Sequence, residues 1–268
     1  LVVNVRAVVI AGGAIETPAL LLHSGLKGQV GRNLRLHPGT AVWGLFDEGV
    51  RVWEGTLQAR YSAEFRDVDG HYGPVFETVP VHPGSGSAAI PWTSAREHRS
   101  LMERFGDLSL CAVLPRDDGA GRVTIDRDGQ PKISYSLTAG DERRIAQGVV
   151  AAGKLLEAAG AMKLYTMQRP SIGYAPGFGG GHDGWADEVR SRGFKTGNMT
   201  FFSYHQMGSA RMGMNPATSA IDGDNQTHEV EDLYVMDGSA FPTASGVNPM
   251  LSIYGIAHRA ATRLAERL

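Results

Sequence analysis

Residues 233–264, LYVMDGSAFPTASGVNPMLSIYGIAHRAATRL, decide the reading of this chain. Leu233 to Met236 is a short apolar run, the pattern of a buried parallel strand. Asp237-Gly238-Ser239 ends it, and Phe241 to Val247 is a loop of Pro, Gly and Ser. Asn248 is a good N-cap, and Pro249 suits the first helical position. Beyond them Ile253, Ala257, Ala260 and Leu264 recur at three- and four-residue steps, which makes one apolar stripe. The free N–H groups of that helix start favour negative charge in front of the loop.

Thirty residues upstream stands Ser203–Gly213, SYHQMGSARMG, with a single histidine, His205, in a glycine-rich setting. Near the beginning, Ala7–Ile10 reads as a strand. Thr17 then caps a helix with Pro18 at its first position, and Gly25 ends it. Between these parts Ala41–Phe46, Leu57–Tyr61, Val75–Val79, Leu108–Leu114, Arg122–Asp126 and Lys132–Leu137 read as strands bounded by turn residues. Asp128-Gly129 marks a hairpin, so an antiparallel sheet is expected. Asp141–Ala159 has helical spacing through Ile145, Val149, Ala152 and Leu156, and Gly173–Gly184 reads as a mobile glycine-rich loop.

Three motifs in this order resemble the glucose–methanol–choline (GMC) oxidoreductases. His205-Gln206-Met207-Gly208-Ser209 matches the family's H-x-x-G-[ST] context. Gly246-Val247-Asn248-Pro249 matches its second polar residue after a glycine-rich loop. Gly13 to Leu26, GAIETPALLLHSGL, is similar to its second signature, which usually ends in Gly where this chain has Lys27. The stretches HPGTAVWGLFDE and GPVFETVPVHPG look most like the long-chain alcohol oxidase branch.

The resemblance implies FAD as cofactor and oxidation of an alcohol to a carbonyl by hydride transfer to flavin N5. It implies His205 as base and Asn248 as the group that holds the substrate oxygen. Pro249 and Met250 would bring the helix start to the flavin C2=O edge, where reduction gathers negative charge. Asp237 and Gly238 would approach the ribityl or pyrophosphate region, and Ala11 and Gly12 the adenosine half. The bland alternatives stand beside these roles: a structural histidine at His205, an N-cap at Asn248, a simple turn at Asp237-Gly238. Trp43, Trp53 and Trp92 fit a substrate channel and core packing equally well.

The expected fold is α/β plus α+β. Residues 1–37 and 201–268 would form a partial, Rossmann-like FAD-binding domain, and residues 38–200 an inserted substrate domain on an antiparallel sheet. No G-x-G-x-x-G turn follows a strand, so the chain is expected to be the C-terminal half of a longer enzyme. The missing N-terminal half could then be a second chain, and a non-catalytic fragment or partner subunit that cannot hold FAD alone is the alternative reading.

Composition narrows the partners. A net charge of −2 without basic runs gives nothing for nucleic acid to bind. The single Cys111 excludes an internal disulfide framework, and the histidines form no HxH or HxxxH pair, so no metal site is expected. The expected partner is a small-molecule alcohol, long-chain or lipid-like if the branch resemblance holds. Such a substrate suits a cytoplasmic or peripheral membrane location better than secretion.

Overall fold

A computed structural model gives the fold and describes residues 1–56, 58–70, 72–177, 179–195 and 197–268. In chain order the elements are β1 (Val8–Ile10), α1 (Gly13–His23), β2 (Arg32–Leu34), β3 (Thr40–Leu45), β4 (Tyr61–Ser62), β5 (Pro74–Glu77), α2 (Pro83–Ala89), α3 (Ala95–Glu103), β6 (Leu108–Pro115), β7 (Gly121–Ile125), β8 (Pro131–Ser134), α4 (Ala139–Ala158), β9 (Lys163–Thr166), β10 (Gly173–Tyr174), α5 (Gly181–Arg192), β11 (Leu233–Val235) and α6 (Met250–Arg267). They fall into two compact units. One holds Leu1–His37, Asp117–Ser136 and Ser203–Leu268, the other Pro38–Arg116 and Leu137–Phe202. The stretch 117–136, expected within a continuous middle domain 38–200, therefore belongs to the first unit.

The reason lies in strand pairing. The Asp128-Gly129 hairpin forms as expected, with Gly129 at φ +79 and Asp126 Oδ1 accepting from the amides of Asp128 and Gln130. Its β7 then pairs with β2, making a three-stranded sheet in the order β2-β7-β8. Leu34, Val123 and Ala14 close a small core there. Local alternation marks a strand but does not name its partner, and the choice rests on contacts distant in sequence. The same unit contains a parallel pair, β1 with β11, in register Val8↔Leu233 to Ile10↔Val235. This is the parallel strand that the apolar run at Leu233 predicts.

Helix α1 starts earlier than its sequence signals suggest. Gly12 is the N-cap residue, and Thr17 and Pro18 lie inside the helix. Pro18 has no N–H for the carbonyl of Ala14 four residues back. The Ser209 hydroxyl donates to that carbonyl instead, at 2.6 Å. At the other end Gly25, at φ +94, donates to the Leu22 carbonyl, and Leu26 to that of Leu21. These two bonds are the glycine stop expected at Gly25.

The second unit is built on a six-stranded antiparallel sheet in the order β10-β9-β3-β6-β5-β4. Every residue of β3 is buried, so both faces of this central strand are covered. Helix α4 lays Ile145, Val149, Ala152 and Leu156 on the sheet. A fully buried aliphatic side chain of this kind contributes about 1.5–3 kcal/mol. Gly148 allows the close approach, because a Cβ there would sit 2.4 Å from Val113 Cγ1.

Sheet membership also differs from expectation. β7 and β8 are absent from it, and β9 and β10 are present. Of the expected strand Leu57–Tyr61, Leu57 lies outside the described residues, residues 58–60 are not strand, and Tyr61 opens the short β4. The expected loop Gly173–Gly184 contains β10 and the first turn of α5, because Tyr174 packs on Trp185 and draws both ends into the core; Phe178 within it lies outside the described residues. Trp43 is a core residue and Trp53 stacks on Phe105, whereas Trp92 is exposed and lines an open cavity of about 540 Å³ with His98 and Met167. Among the described residues no helix is long and apolar enough to cross a membrane.

Candidate active site

The motif around His205 runs as an extended strip through the first unit. On one side Met207 exchanges two backbone hydrogen bonds with Arg35, at 2.8 and 2.9 Å. On the other, the amides of Gly208, Ala210 and Met212 donate to the carbonyls of Gly238, Ser239 and Ala240. The strip thus joins the end of β2 to the turn after β11. Gly208 is at φ +79, and a Cβ there would come within 2.9 Å of the Asn33 carbonyl oxygen. That contact explains why the motif needs glycine three residues after its histidine. Met207 is fully buried, and its sulfur accepts the Ser245 amide at 3.3 Å, which ties the loop leading to Asn248 to the His205 strip.

His205 itself is half-buried, and burial holds its imidazole below the ordinary histidine range. Its Nδ1 lies 2.9 Å from Nδ1 of His37, with ring centroids 4.9 Å apart and ring planes inclined by 26°. His37 is fully buried and adopts φ +46, a left-handed backbone that is rare outside glycine. Buried Asp117 imposes it. Asp117 Oδ1 accepts the His37 amide at 3.2 Å, and Oδ2 accepts the Leu36 amide at 3.0 Å and the Tyr135 hydroxyl at 2.9 Å. Burial pushes the Asp117 carboxyl up, against the pull of these donors. The Arg35 guanidinium clamps the Asp117 loop through the carbonyls of Asp118 and Gly119, at 2.6 and 2.8 Å. Sequence reading gave His37 and Asp117 no role. The signal was present only as the HPG step at the close of the first part, and the partner acid lies 80 positions away.

Asp237 and Gly238 stand where expected, at the end of β11, in a single 3₁₀ turn over Gly238–Ala240. The Asp237 carboxylate is 7% exposed and already accepts four hydrogen bonds: Thr17 Oγ1 at 2.5 Å, the Gly13 amide at 2.8 Å, and Ser239 through amide and hydroxyl. A carboxylate has about four acceptor positions. Its side chain therefore stitches the β1–α1 turn to β11, and what the turn can offer a ligand comes from backbone.

Ala11 and Gly12 are exposed at the carboxyl end of β1 and line an open cavity of about 660 Å³ with Glu16. A Cβ on Gly12 would meet Thr17 N and Oγ1 at 3.3 Å. Helix α6 begins one residue later than expected. Its first bond runs from the Ile253 amide to the Pro249 carbonyl, so Pro249 is the cap residue and Asn248 lies outside the helix. Pro249 is buried, Asn248 half-buried and Met250 exposed. Neither cap residue, Gly12 nor Pro249, caps its helix with its own side chain, and at α1 the Gly12 and Gly13 amides donate to Thr17 Oγ1 and Asp237 Oδ2 instead.

Other chemistry-bearing groups sit apart from this constellation. Cys111 is buried in β6 and its thiol is pushed up to about 12 by burial, which makes it inert near neutrality. His258 is exposed on α6. Among the described residues no three His, Cys, Asp or Glu side chains gather as a metal site.

Two GMC oxidoreductase profiles, for the C-terminal and N-terminal regions of the family, match residues 115–257 and 1–39. The chain belongs to the GMC oxidoreductase family. Among curated GMC relatives, long-chain-alcohol oxidase FAO4A of Arabidopsis thaliana is 36% identical over 96% of this chain. Paromamine 6'-oxidase of Streptomyces fradiae is 28% identical over 99% of it. The chain spans 36% and 46% of the lengths of these two relatives. Among solved GMC-like folds, pyridoxine 4-oxidase from Mesorbium loti superposes with a TM-score of 0.64 over 97% of this chain and 51% of that one, at 18% identity. Formate oxidase gives 0.62 over 96% and 53%. Residues 1–39 match the N-terminal profile, so that part of the N-terminal region lies in this chain and not in a separate partner.

Proposed function

We propose that this chain carries the base and substrate side of an FAD-dependent alcohol oxidoreductase. The observation that carries the reading is His205, in its family motif, half-buried, with burial favouring its neutral form. A neutral imidazole is the form that can take a proton. Family membership and this prepared histidine support the catalytic reading over that of a non-catalytic fragment.

The residues present fit a flavin dinucleotide in part. β1 and β11 run parallel, and ligands of such sheets sit beyond the carboxyl ends of the strands. Ala11 and Gly12 lie there beside an open cavity, and the cap residue of α6, Pro249, offers no side-chain acceptor to its helix. Glu16 in the first turn of α1 disfavours a phosphate there and favours the hydroxyl-rich adenosine half. Gly238, with the Asp237 carboxylate already occupied, would contribute backbone. Pro249 and Met250 would present the start of α6 to the flavin. The flavin, when bound, supplies the hydride acceptor.

The chain's own residues do the rest. An alcohol is a very weak acid, so its proton needs a placed acceptor as the carbonyl forms. His205 takes that proton. Asn248 holds the substrate oxygen and so orients the carbon that is oxidised. Residues outside these 268 would complete the pyrophosphate turn.

The branch-level likeness supports a long-chain, lipid-like alcohol, and with it a protein that works at a membrane surface. The likeness to paromamine 6'-oxidase supports a polar one instead. The test is the protein containing this chain, purified with its flavin absorbance recorded, and assayed on alcohols from butanol to hexadecanol and on an aminoglycoside. Rates that rise with chain length are expected. Preference for the aminoglycoside would overturn the lipid reading. His205→Ala should reduce turnover by about 100-fold or more with flavin absorbance retained; near-normal turnover would remove His205 from the mechanism.

A further inference from the structure

The contact between His37 and His205 joins two nitrogens of the same kind, Nδ1 to Nδ1, at 2.9 Å. At that distance one ring donates and the other accepts, and the choice fixes both tautomers. If His37 donated, His205 would carry its proton on Nε2 and have no lone pair there for an alcohol proton. If His37 accepts, His205 holds its proton on Nδ1 and its Nε2 is the free base.

We propose that His37 is a positioning residue: its Nδ1 accepts the Nδ1–H of His205 and so keeps His205 Nε2 ready to take a proton. This inference rests on the reading of His205 as base. In the proton step the substrate O–H bond breaks, its electron pair stays on oxygen, and an Nε2–H bond forms on His205. The resulting imidazolium still donates from Nδ1 to His37, now as a charge-assisted bond, so the pair strengthens as the proton arrives. With His37 as donor, protonated His205 would place two Nδ1–H groups face to face.

The geometry is built to hold this acceptor still. The His37 backbone is locked at φ +46 by Asp117, which grips the amides of residues 36 and 37. Arg35 fixes the loop of Asp117, and Tyr135 fixes its Oδ2. Ser203, two residues before His205, donates to the Leu36 carbonyl at 2.5 Å, so both rings hang from one braced piece of backbone. A histidine needed only to fill space would not require a left-handed residue pinned by a buried acid. The arrangement parallels the logic of catalytic triads, where a third group holds the base in one tautomer, with a neutral imidazole in place of a carboxylate.

The test uses the flavoprotein with ¹⁵N-labelled histidine. Long-range nitrogen–proton spectra assign the tautomer of His205 without any turnover. The wild type is expected to show His205 protonated on Nδ1. His37→Asn keeps an acceptor near the Nδ1 position and tolerates the left-handed backbone, so it should keep that tautomer and most of kcat. His37→Phe keeps an aromatic ring in the same space and loses the acceptor. It should move His205 toward the Nε2–H form and lower kcat by about tenfold or more with KM little changed. Wild-type His205 protonated on Nε2 overturns the proposal, and it does so even if the Phe variant does not fold. Loss of kcat in the Asn variant equal to that in the Phe variant overturns it too. If His205→Ala leaves turnover intact while the tautomer is as expected, the reading of His205 as base fails and the positional assignment stands.

Discussion

Helices α4 and α6 begin in opposite ways. At α4 Thr138 Oγ1 accepts the Asp141 amide at 3.0 Å, and the Asp141 carboxylate accepts the Thr138 amide at 3.0 Å. The start is closed by its own residues. At α6 the cap residue is proline, whose side chain offers the first turn no acceptor. α4 lies in the sheet unit, where its task is to cover hydrophobic strands. α6 follows the loop tied to the His205 strip, and its open amides suit an external acceptor of negative charge. The contrast is between a helix start closed by its own side chains and one whose cap residue offers none.

The largest effect that bears on this contrast should come from Asn248. Since Pro249 is the cap residue, Asn248→Ala should leave thermal stability nearly unchanged and lower kcat/KM by about tenfold or more through loss of substrate orientation. A clear fall in Tm with normal kinetics would return Asn248 to a capping role and break the comparison. Thr138→Ala should do the reverse. Its expected cost is about 1 kcal/mol of stability in urea unfolding, with flavin absorbance and turnover as in the wild type.

A smaller effect tests how α6 is anchored. Asp224 faces Arg259, Arg263 and Arg267, placed one turn apart on the second half of that helix. The Arg263 hydrogen bond, with the charges of all three arginines, holds the Asp224 carboxyl below its usual range. A depressed acid contributes stability above its unfolded pKa and loses it as pH falls through the folded one. Asp224→Asn should therefore cost up to ~1 kcal/mol near neutrality. The gap to wild type should close in acid, below the ordinary Asp value of about 3.9. A gap that persists unchanged in acid would mean that the arginines hold α6 by packing alone.

Much of this was legible in the sequence where the signal is local. The apolar run at Leu233, the glycine stop at Gly25, the Asp128-Gly129 hairpin and the stripe of α4 all formed as their residues dictate. Signals that depend on distant partners were not. Thr17-Pro18 reads as a helix start, yet the Ser209 hydroxyl replaces the hydrogen bond that Pro18 cannot make, so the helix begins earlier. Arg122–Asp126 reads as a strand, but nothing near it says that its neighbour is β2. The same limit hid part of the site. His205 announces itself through Gly208 and Ser209, whereas His37 gains its place from Asp117, an acid with no local mark.

The order of these residues along the chain also shapes how the protein acquires its site. The backbone passes between the two units after residues 37, 116, 136 and 202. His37 is therefore translated before every strand of the large sheet, Asp117 after four of them and before the last two, and His205 after all six. Closing β2 on β7 across the stretch 35–120 carries a loop-entropy penalty that collapse of the intervening strands must offset, and such long-range pairings form slowly. The histidine pair joins residues 168 positions apart and depends on long-range closure of this kind. The Nδ1–Nδ1 contact therefore reports on pairing between distant parts of the chain, where a helical or strand signal reports only on local structure.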